Sequence, residues 1–378
     1  MDKLSEGLYV TPTALVCTIL ALHRDGIREE DLISQVAWLR DELLARGGLL
    51  SPCICGFSYE PSACVRTVLG RYLDGIAESK CGGWRVASRY GGEAFDAQGA
   101  PLKGQLPRLL VAFYRNQCMH VFANEAFVAV AVTACSGAAA WTEGATMDEI
   151  VASTRFLLKL MSDHFVYAGK VKEDAIDSVV LLMEKRGILA RHSGNGGSQP
   201  PRFSLNRQQE ALVLLICSFL WPFVDSMWAL GNALFTLQVH SSGGVALACA
   251  ARQLKKHQLV ARAHWLADGL CKQRILPFYE SSSFPTISRG VEGFVALGVL
   301  HRTGSASEEA CASDALLELS PEYREEAQLQ ALVNRIHKFR RAFCFDASQP
   351  DALPAKYADR YVSPTQQPSP SDLTVHFF

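Results

Sequence analysis

The sequence has no excess of either charge: 37 Lys+Arg stand against 38 Asp+Glu, a formal net charge of -1. That balance excludes a dedicated nucleic-acid binder, which needs a basic footprint. No Gly-rich phosphate loop, nucleophile elbow or zinc-binding helix occurs anywhere in the chain, so the chemistries that depend on those motifs have no foothold. Cysteine is thinly spread, 12 in 378 residues, which excludes the dense disulfide framework of a small secreted domain. Cys53-Ile54-Cys55 has no second pair at zinc spacing, so neither a metal nor a cofactor is expected. The opening MDKLSEGLYVTP carries neither a basic start with an apolar core nor an Arg/Ser-rich amphipathic start. Reduced cysteines in a cytosol-facing protein are expected.

What is present is a globular composition, 49 % hydrophobic, in a chain long enough for two or three domains. Ala211 to Leu237 is long enough to cross a bilayer, which takes roughly 20 apolar residues. However, Pro222 interrupts it, and Asp225 and Asn232 lie inside it. An Asp at the bilayer centre costs about 2.5–3.5 kcal/mol, so a buried or membrane-surface helix is favoured over a span. The Ala-rich run from Ala126 to Trp141 reads as core.

Helix signals punctuate the chain. Thr11-Pro12 reads as an N-cap with Pro at the first helical position. Arg28 to Arg46 places Leu32, Val36, Leu39 and Leu43 on one face before Gly47-Gly48. A third helix is expected over about Pro61 to Glu78. Two β-like runs follow, Trp84 to Ala87 and Leu109 to Tyr114, joined by a Gly-rich loop. The order recurs. Thr146 to Glu149 is a capping-box pattern opening a helix, and another spans Lys172 to Lys185. Strand-like Gly187 to Ala190 and Arg202 to Leu205 then flank a Gly/Ser/Pro loop. In the third instance, helices over Val245–Gln258, Leu270–Ile275 and Ile287–Leu297 precede strands at Gly298–His301 and Leu316–Leu319.

The expected fold is therefore mainly α with short β-hairpins (α+β), as three winged-helix-like modules packed together. The expected divisions are an opening helix at 1–27, modules at 28–145, 146–240 and 241–345, and a tail at 346–378. The helices that would enter a DNA groove, Val65–Leu73 and Ala175–Glu184, are poor in Arg and Lys. A last amphipathic helix carries Leu329, Leu332, Ile336 and Phe339 and ends in Arg335, His337, Lys338, Arg340 and Arg341. Those cations either complement the helix dipole or meet anionic lipid or a phosphorylated substrate.

The chain is organised around Arg108 to Ala134, RLLVAFYRNQCMHVFANEAFVAVAVTA. Its strand-like start is expected to close the first module, with Asn116 as the N-cap of the apolar helix that follows and Arg115 pointing outward. His120 and Glu125 lie five positions apart, about 140° around a helix, so a His–Glu acid/base pair is not expected.

Several segments together resemble a known family. VTPTALVCTILALHRDGIREEDLISQVAWLRDEL (Val10–Leu43), FYRNQCMHVF (Phe113–Phe122) and FYESSSFPTISRGVEGFVALGVL (Phe278–Leu300) are similar, in order and spacing, to the region after the catalytic core of membrane-bound glycerol-3-phosphate and dihydroxyacetone-phosphate acyltransferases. The bacterial inner-membrane enzyme and the mitochondrial or peroxisomal ones are of this kind. The resemblance covers Val10 to Gln328. It implies acyl transfer from acyl-CoA or acyl carrier protein to a glycerol phosphate hydroxyl, with a His as base, separated from an Asp by four intervening residues. None of the ten histidines here has an Asp at that spacing, and the family's Pro-Glu-Gly phosphate motif is missing too, so no catalytic residue carries over. Tyr114, Arg115, Asn116 and His120 are the family-motif positions that do. The expected partners are an acyltransferase catalytic domain, in the same chain if this is a fragment, and membrane lipid, with no nucleic acid. Acyl-CoA or acyl carrier protein would be met only through that domain. The expected location is membrane-associated, facing the cytosol. Either a fragment of a full acyltransferase or a stand-alone derivative fits, and a non-enzymatic winged-helix-like interaction scaffold is the alternative.

Overall fold

The computed structural model describes residues 8–23, 25–56, 59–80, 82–87, 106–165, 175–192, 200–238, 253–303 and 316–341. The chain divides into two compact units, Met1–Ala126 and Phe127–Phe378.

In the first unit, α1 (Pro12–Leu22) precedes β1 (Ile27–Arg28) and α2 (Glu29–Ala45). A short α3 (Pro52–Cys55) and α4 (Pro61–Thr67) follow, α4 running on through a wider turn to Tyr72. Strands β2 (Ala77–Lys80) and β3 (Gly83–Val86) then pair antiparallel, and β1 pairs with the other edge of β3, giving the order β1-β3-β2. Helix–strand–helix–helix–hairpin with a three-stranded sheet in that order is winged-helix topology. α5 (Leu106–Arg115) and α6 (Met119–Ser136) close this unit's share of the chain.

The Thr11 side chain accepts from the Ala14 amide, and Pro12 stands at N1, satisfying donors that the first turn of α1 would otherwise leave open. α1 buries residues 14–20 continuously, and α2 buries Leu32, Val36, Leu39 and Leu43. The latter is the face that the apolar spacing marks out.

The second unit repeats the pattern twice. β4 (Ala145–Thr146), α7 (Met147–Leu160), α8 (Ile176–Lys185), β5 (Leu189–His192) and β6 (Arg202–Leu205) form a sheet in the order β4-β6-β5. After α9 (Glu210–Ser218) and α10 (Trp221–Ala233) come β7 (Leu254–Lys255), α11 (Lys256–Lys272), α12 (Phe284–Ala296), β8 (Leu300–Thr303) and β9 (Leu316–Leu319). Their sheet has the order β7-β9-β8. α13 (Glu326–His337) follows, its Leu329, Leu332, Val333 and Ile336 buried. α7 opens with the capping box read from its sequence, Thr146 and Glu149 bonding reciprocally.

Five expectations are corrected. Leu109 to Tyr114 is helix, not strand. Val111, Arg115, Cys118 and Phe122 are buried at helical spacing while Leu109 and Phe113 are exposed, and that 3.6-residue period overrides β-propensity. The third helix stops at Tyr72 instead of reaching Glu78, because Gly75, at φ +72, turns the chain into β2. Asn116 caps nothing: Arg115 before it has helical angles, and the helix runs on through a tight turn at Asn116–Cys118. In the third module the helix lies at Lys256–Lys272 after the short β7, so Gln258 opens a helix rather than ending one and Leu270 belongs to its last turn. Finally, Ala211 to Leu237 is two helices bent by 52°, and Pro222 sits in the first turn of the second. The Gly-rich loop after Ala87, the SGNGGS loop, residues 245–252 and the 346–378 tail lie outside the described residues.

Within the second unit α12 approaches the end of α7 so closely that a Cβ on Gly293 would overlap the Leu160 carbonyl. Gly293→Ala is expected to cost about 1–3 kcal/mol through overpacking. Gly269, in α11 with open space around it, should gain about 0.5–1 kcal/mol on replacement by Ala. Urea unfolding of the two variants tests the contrast: equal stabilities would show that the close approach is absent.

Candidate functional site

In the first unit the segment 113–122 meets the segment that begins at Val10. Thr11, besides capping α1, donates its hydroxyl to Gln117 Oε1 at 2.9 Å. Thr18 Oγ1 donates to the Ala14 carbonyl at 2.7 Å and lies 3.6 Å from Cys118 Sγ. Burial pushes the Cys118 thiol up to about 12, and burial likewise raises Cys17, so neither is a thiolate nucleophile. Arg115 does not point outward. It is 1 % exposed, and its Nη2 donates to Asn116 Oδ1 at 3.1 Å. Tyr114 is half-buried and meets the Phe113 ring edge-on.

His120 and Glu125 part company. His120 Nδ1 donates to the Gln117 carbonyl at 2.9 Å. Glu125 Oε2 accepts from Arg46 Nε and Nη2, both at 3.0 Å, in a pair only 3 % and 4 % exposed. Arg46 also reaches Glu42 at 2.5 Å and lies over the Phe122 ring. Tyr114, Arg115, Asn116 and His120 thus share one helical junction, and no nucleophile is set beside a base there. The polar groups tie α1, α2 and α6 together.

The second unit holds a buried charge pair that sequence reading missed. Asp225 of α10 and Arg340, just past α13, meet at 2.6 Å with both side chains 2 % exposed. Arg340 lies 3.9 Å over the Trp228 ring and donates to the Ile275 carbonyl at 3.3 Å. Burial pushes the Asp225 carboxyl up, and the Arg340 guanidinium opposes that rise. An acid inside an apolar run, with a cation at the end of an amphipathic helix, was the available signal.

The segment 278–300 supplies backbone acceptors to three side chains of this unit. Ser226 Oγ donates to the Ser281 carbonyl at 2.7 Å, and His264 Nδ1 to the Ser282 carbonyl at 2.6 Å. His164 Nε2 donates to the Thr286 carbonyl at 2.9 Å. Glu292 of α12 binds Lys256 at 2.7 Å and also pairs with Arg302.

A surface cleft of about 320 Å³ lies where α6 and α7 face the end of α13, lined by Cys135, Glu149, Ser153, Arg335, Lys338 and Phe339 among others. Arg335 lies over Phe156 at 3.8 Å, and Phe156 stacks on Phe339 at 5.7 Å. Cys135 Sγ is 3.2 Å from Ser153 Oγ, and burial raises its thiol above the ordinary range. A smaller hollow of about 190 Å³ borders β3 in the first unit, by Asp25, Trp84 and Arg85.

Among the described residues no three His, Cys, Asp or Glu side chains are grouped to hold a metal ion. Cys53 and Cys55 are exposed and contact Ser51 and the Leu50 carbonyl. Among the described residues one helical run, Pro107–Trp141, is long and apolar enough to cross a membrane, but 78 % of its most apolar window is buried in the fold.

Removing one member of the buried pair strands the other's charge. Arg340→Met is expected to cost about 3–5 kcal/mol, and the double change Asp225→Leu, Arg340→Met to recover most of it. Chemical denaturation of the single and double variants reads this directly, and a double variant as unstable as the single would count against a stranded charge. His164 gives a pH test. Burial, with a smaller push from Arg289, lowers its imidazole to about 4, against an ordinary value near 6.5. Between those values the unfolded chain binds more protons, so stability rises with pH. The contribution is full above about pH 6.5 and is lost as pH falls towards 4, by up to about 3 kcal/mol. His164→Gln should lessen the fall in melting temperature between pH 7 and pH 5, with His337, whose imidazole burial also lowers to about 4, keeping the rest; an unaltered slope would contradict it.

The model of the family described as glycerol-3-phosphate acyltransferase C-terminal region matches residues 1–303. No curated protein matches the chain.

Proposed function

The chain belongs to the glycerol-3-phosphate acyltransferase C-terminal region family, and on that premise we propose that it is the non-catalytic region of a membrane-associated glycerol-3-phosphate acyltransferase. Its role is to pack on the domain that carries the acyl-transfer chemistry. One observation carries the reading: four histidines among the described residues are engaged in structural hydrogen bonds. His120, His164 and His264 donate to backbone carbonyls, and His192 bonds Ser204 Oγ at 2.7 Å. No histidine precedes an Asp by four intervening residues, so the base that would take the proton from the glycerol phosphate hydroxyl is not in this chain. The acyl donor, acyl-CoA or acyl carrier protein, is then met by the catalytic domain.

Membrane association in this reading runs along the surface and through the catalytic domain. The apolar helices α6, α9 and α10 bury their faces in the fold, while Phe113, Trp265 and Phe284 stay exposed. Of these, Trp265 is of the kind that favours the headgroup level of a bilayer.

A second reading, an interaction scaffold without an enzyme partner, is favoured by the winged-helix repetition. Where a DNA reader would be basic, Arg66 of α4 is paired with Glu29 and α8 exposes Leu181 and Leu182. Purified 1–378 is expected to give no acyl transfer from palmitoyl-CoA to glycerol 3-phosphate, and to co-purify with a co-expressed acyltransferase domain containing His-x4-Asp. Turnover by 1–378 alone would sink the non-catalytic assignment. Failure to co-purify, together with capture of an unrelated complex, would favour the scaffold.

A further inference from the structure

We infer that the exposed apolar face around the Thr11–Gln117 bond of the first unit is the surface that docks on the acyltransferase catalytic domain. The inference rests on the proposed function and says where on this chain that contact is made. Large apolar side chains are exposed on both sides of the bond. Leu8 and Tyr9 come just before Thr11, and Tyr9 is 58 % exposed. Leu49 is beside them, exposed, with its carbonyl accepting from the Val10 amide at 2.8 Å. Phe113, one turn of α5 before Gln117, is 64 % exposed, and Leu109 is exposed one turn further back.

The helical period sets this face apart from the core. Val111, Arg115, Cys118 and Phe122 bury the other side of the same run, so Leu109 and Phe113 project away from the unit's own packing. Gly48 lets the chain that carries Leu49 pass close to α6: a Cβ there would stand 3.1 Å from Val121 Cγ2. None of the five exposed side chains is charged, and the buried Arg46 beside them is committed to Glu42 and Glu125. An exposed cluster of large apolar side chains marks an interaction surface, and aromatic residues are the usual anchors of one. The occupant follows from chain order. The matching family is described as a C-terminal region, so in such an enzyme the catalytic domain joins on the N-terminal side. Leu8 and Tyr9, within the face, lead into α1 from that side. A domain tethered there meets the face at an effective concentration of about millimolar for a short linker, an advantage that a second copy of this chain lacks.

The test titrates full-length 1–378 into a fluorescently labelled acyltransferase domain containing His-x4-Asp. Wild type is compared with Tyr9→Asp, Phe113→Asp and, as a control on the second unit, Leu181→Asp at an exposed position of α8. Tyr9→Asp and Phe113→Asp should each weaken Kd by about tenfold or more, the size of effect at a buried interface anchor. Leu181→Asp should leave Kd unchanged, and the melting temperatures of all four should agree. Tyr9 and Phe113 belong to separate segments, so either variant decides the matter if the other unfolds. Binding that neither variant weakens would overturn this surface and leave the docking role standing elsewhere on the chain, as would an equal loss in Leu181→Asp. No binding by the wild type would overturn the surface and the docking role together. Light scattering of 1–378 alone reads the other occupant: a dimer that Phe113→Asp dissociates would assign the face to a second copy and overturn the proposal.

Discussion

The second unit depends on one buried contact, Asp225 to Arg340 at 2.6 Å. Each ion alone in that apolar surround would cost several kcal/mol. Together, with Trp228 against the guanidinium and the Ile275 carbonyl as a further acceptor, they specify where the chain beyond α13 must lie. Such a pair adds little net stability over a well-packed apolar substitute, but it penalises every arrangement in which either partner is stranded. The end of α13, its cations and the cleft beside them are positioned by that penalty.

The same logic recurs at smaller scale. Arg46 and Glu125 are almost wholly buried together in the first unit, and Glu292 gathers Lys256 and Arg302 in the third module. Histidine is used in the same way, as a donor to backbone carbonyls. Among the described residues these side chains are committed to holding elements of each unit in place.

Where a rule acts over a few residues, the sequence was legible. The Thr11 cap, the Thr146–Glu149 capping box and the Leu32, Val36, Leu39, Leu43 face each follow from contacts within one or two turns. So do strands Arg202–Leu205 and Leu316–Leu319. Leu109 to Tyr114 was not legible, because a short apolar run fits either period until its partner is known. Burial of Arg115 and exposure of Phe113 settle it as a helix, and neither is a local property. Asn116 looked like a cap only while the residues before it were read as strand.

The sequence by itself determined the class: mainly helical modules with hairpin wings, no nucleotide loop, no His-x4-Asp base, and a family resemblance spread over ordered segments. Those are matters of composition, periodicity and spacing, which short-range chemistry makes explicit. Only the tertiary structure decided which polar residues would be buried and with whom. Asp225 and Arg340 lie 115 positions apart, and Thr11 and Gln117 lie 106 apart. The cost of an unpaired buried charge or donor arises in three dimensions, so the partners that relieve it leave no local trace in the chain. The stretch from Arg108 to Ala134, whose start reads as strand with Asn116 as a cap, is helical throughout for that reason.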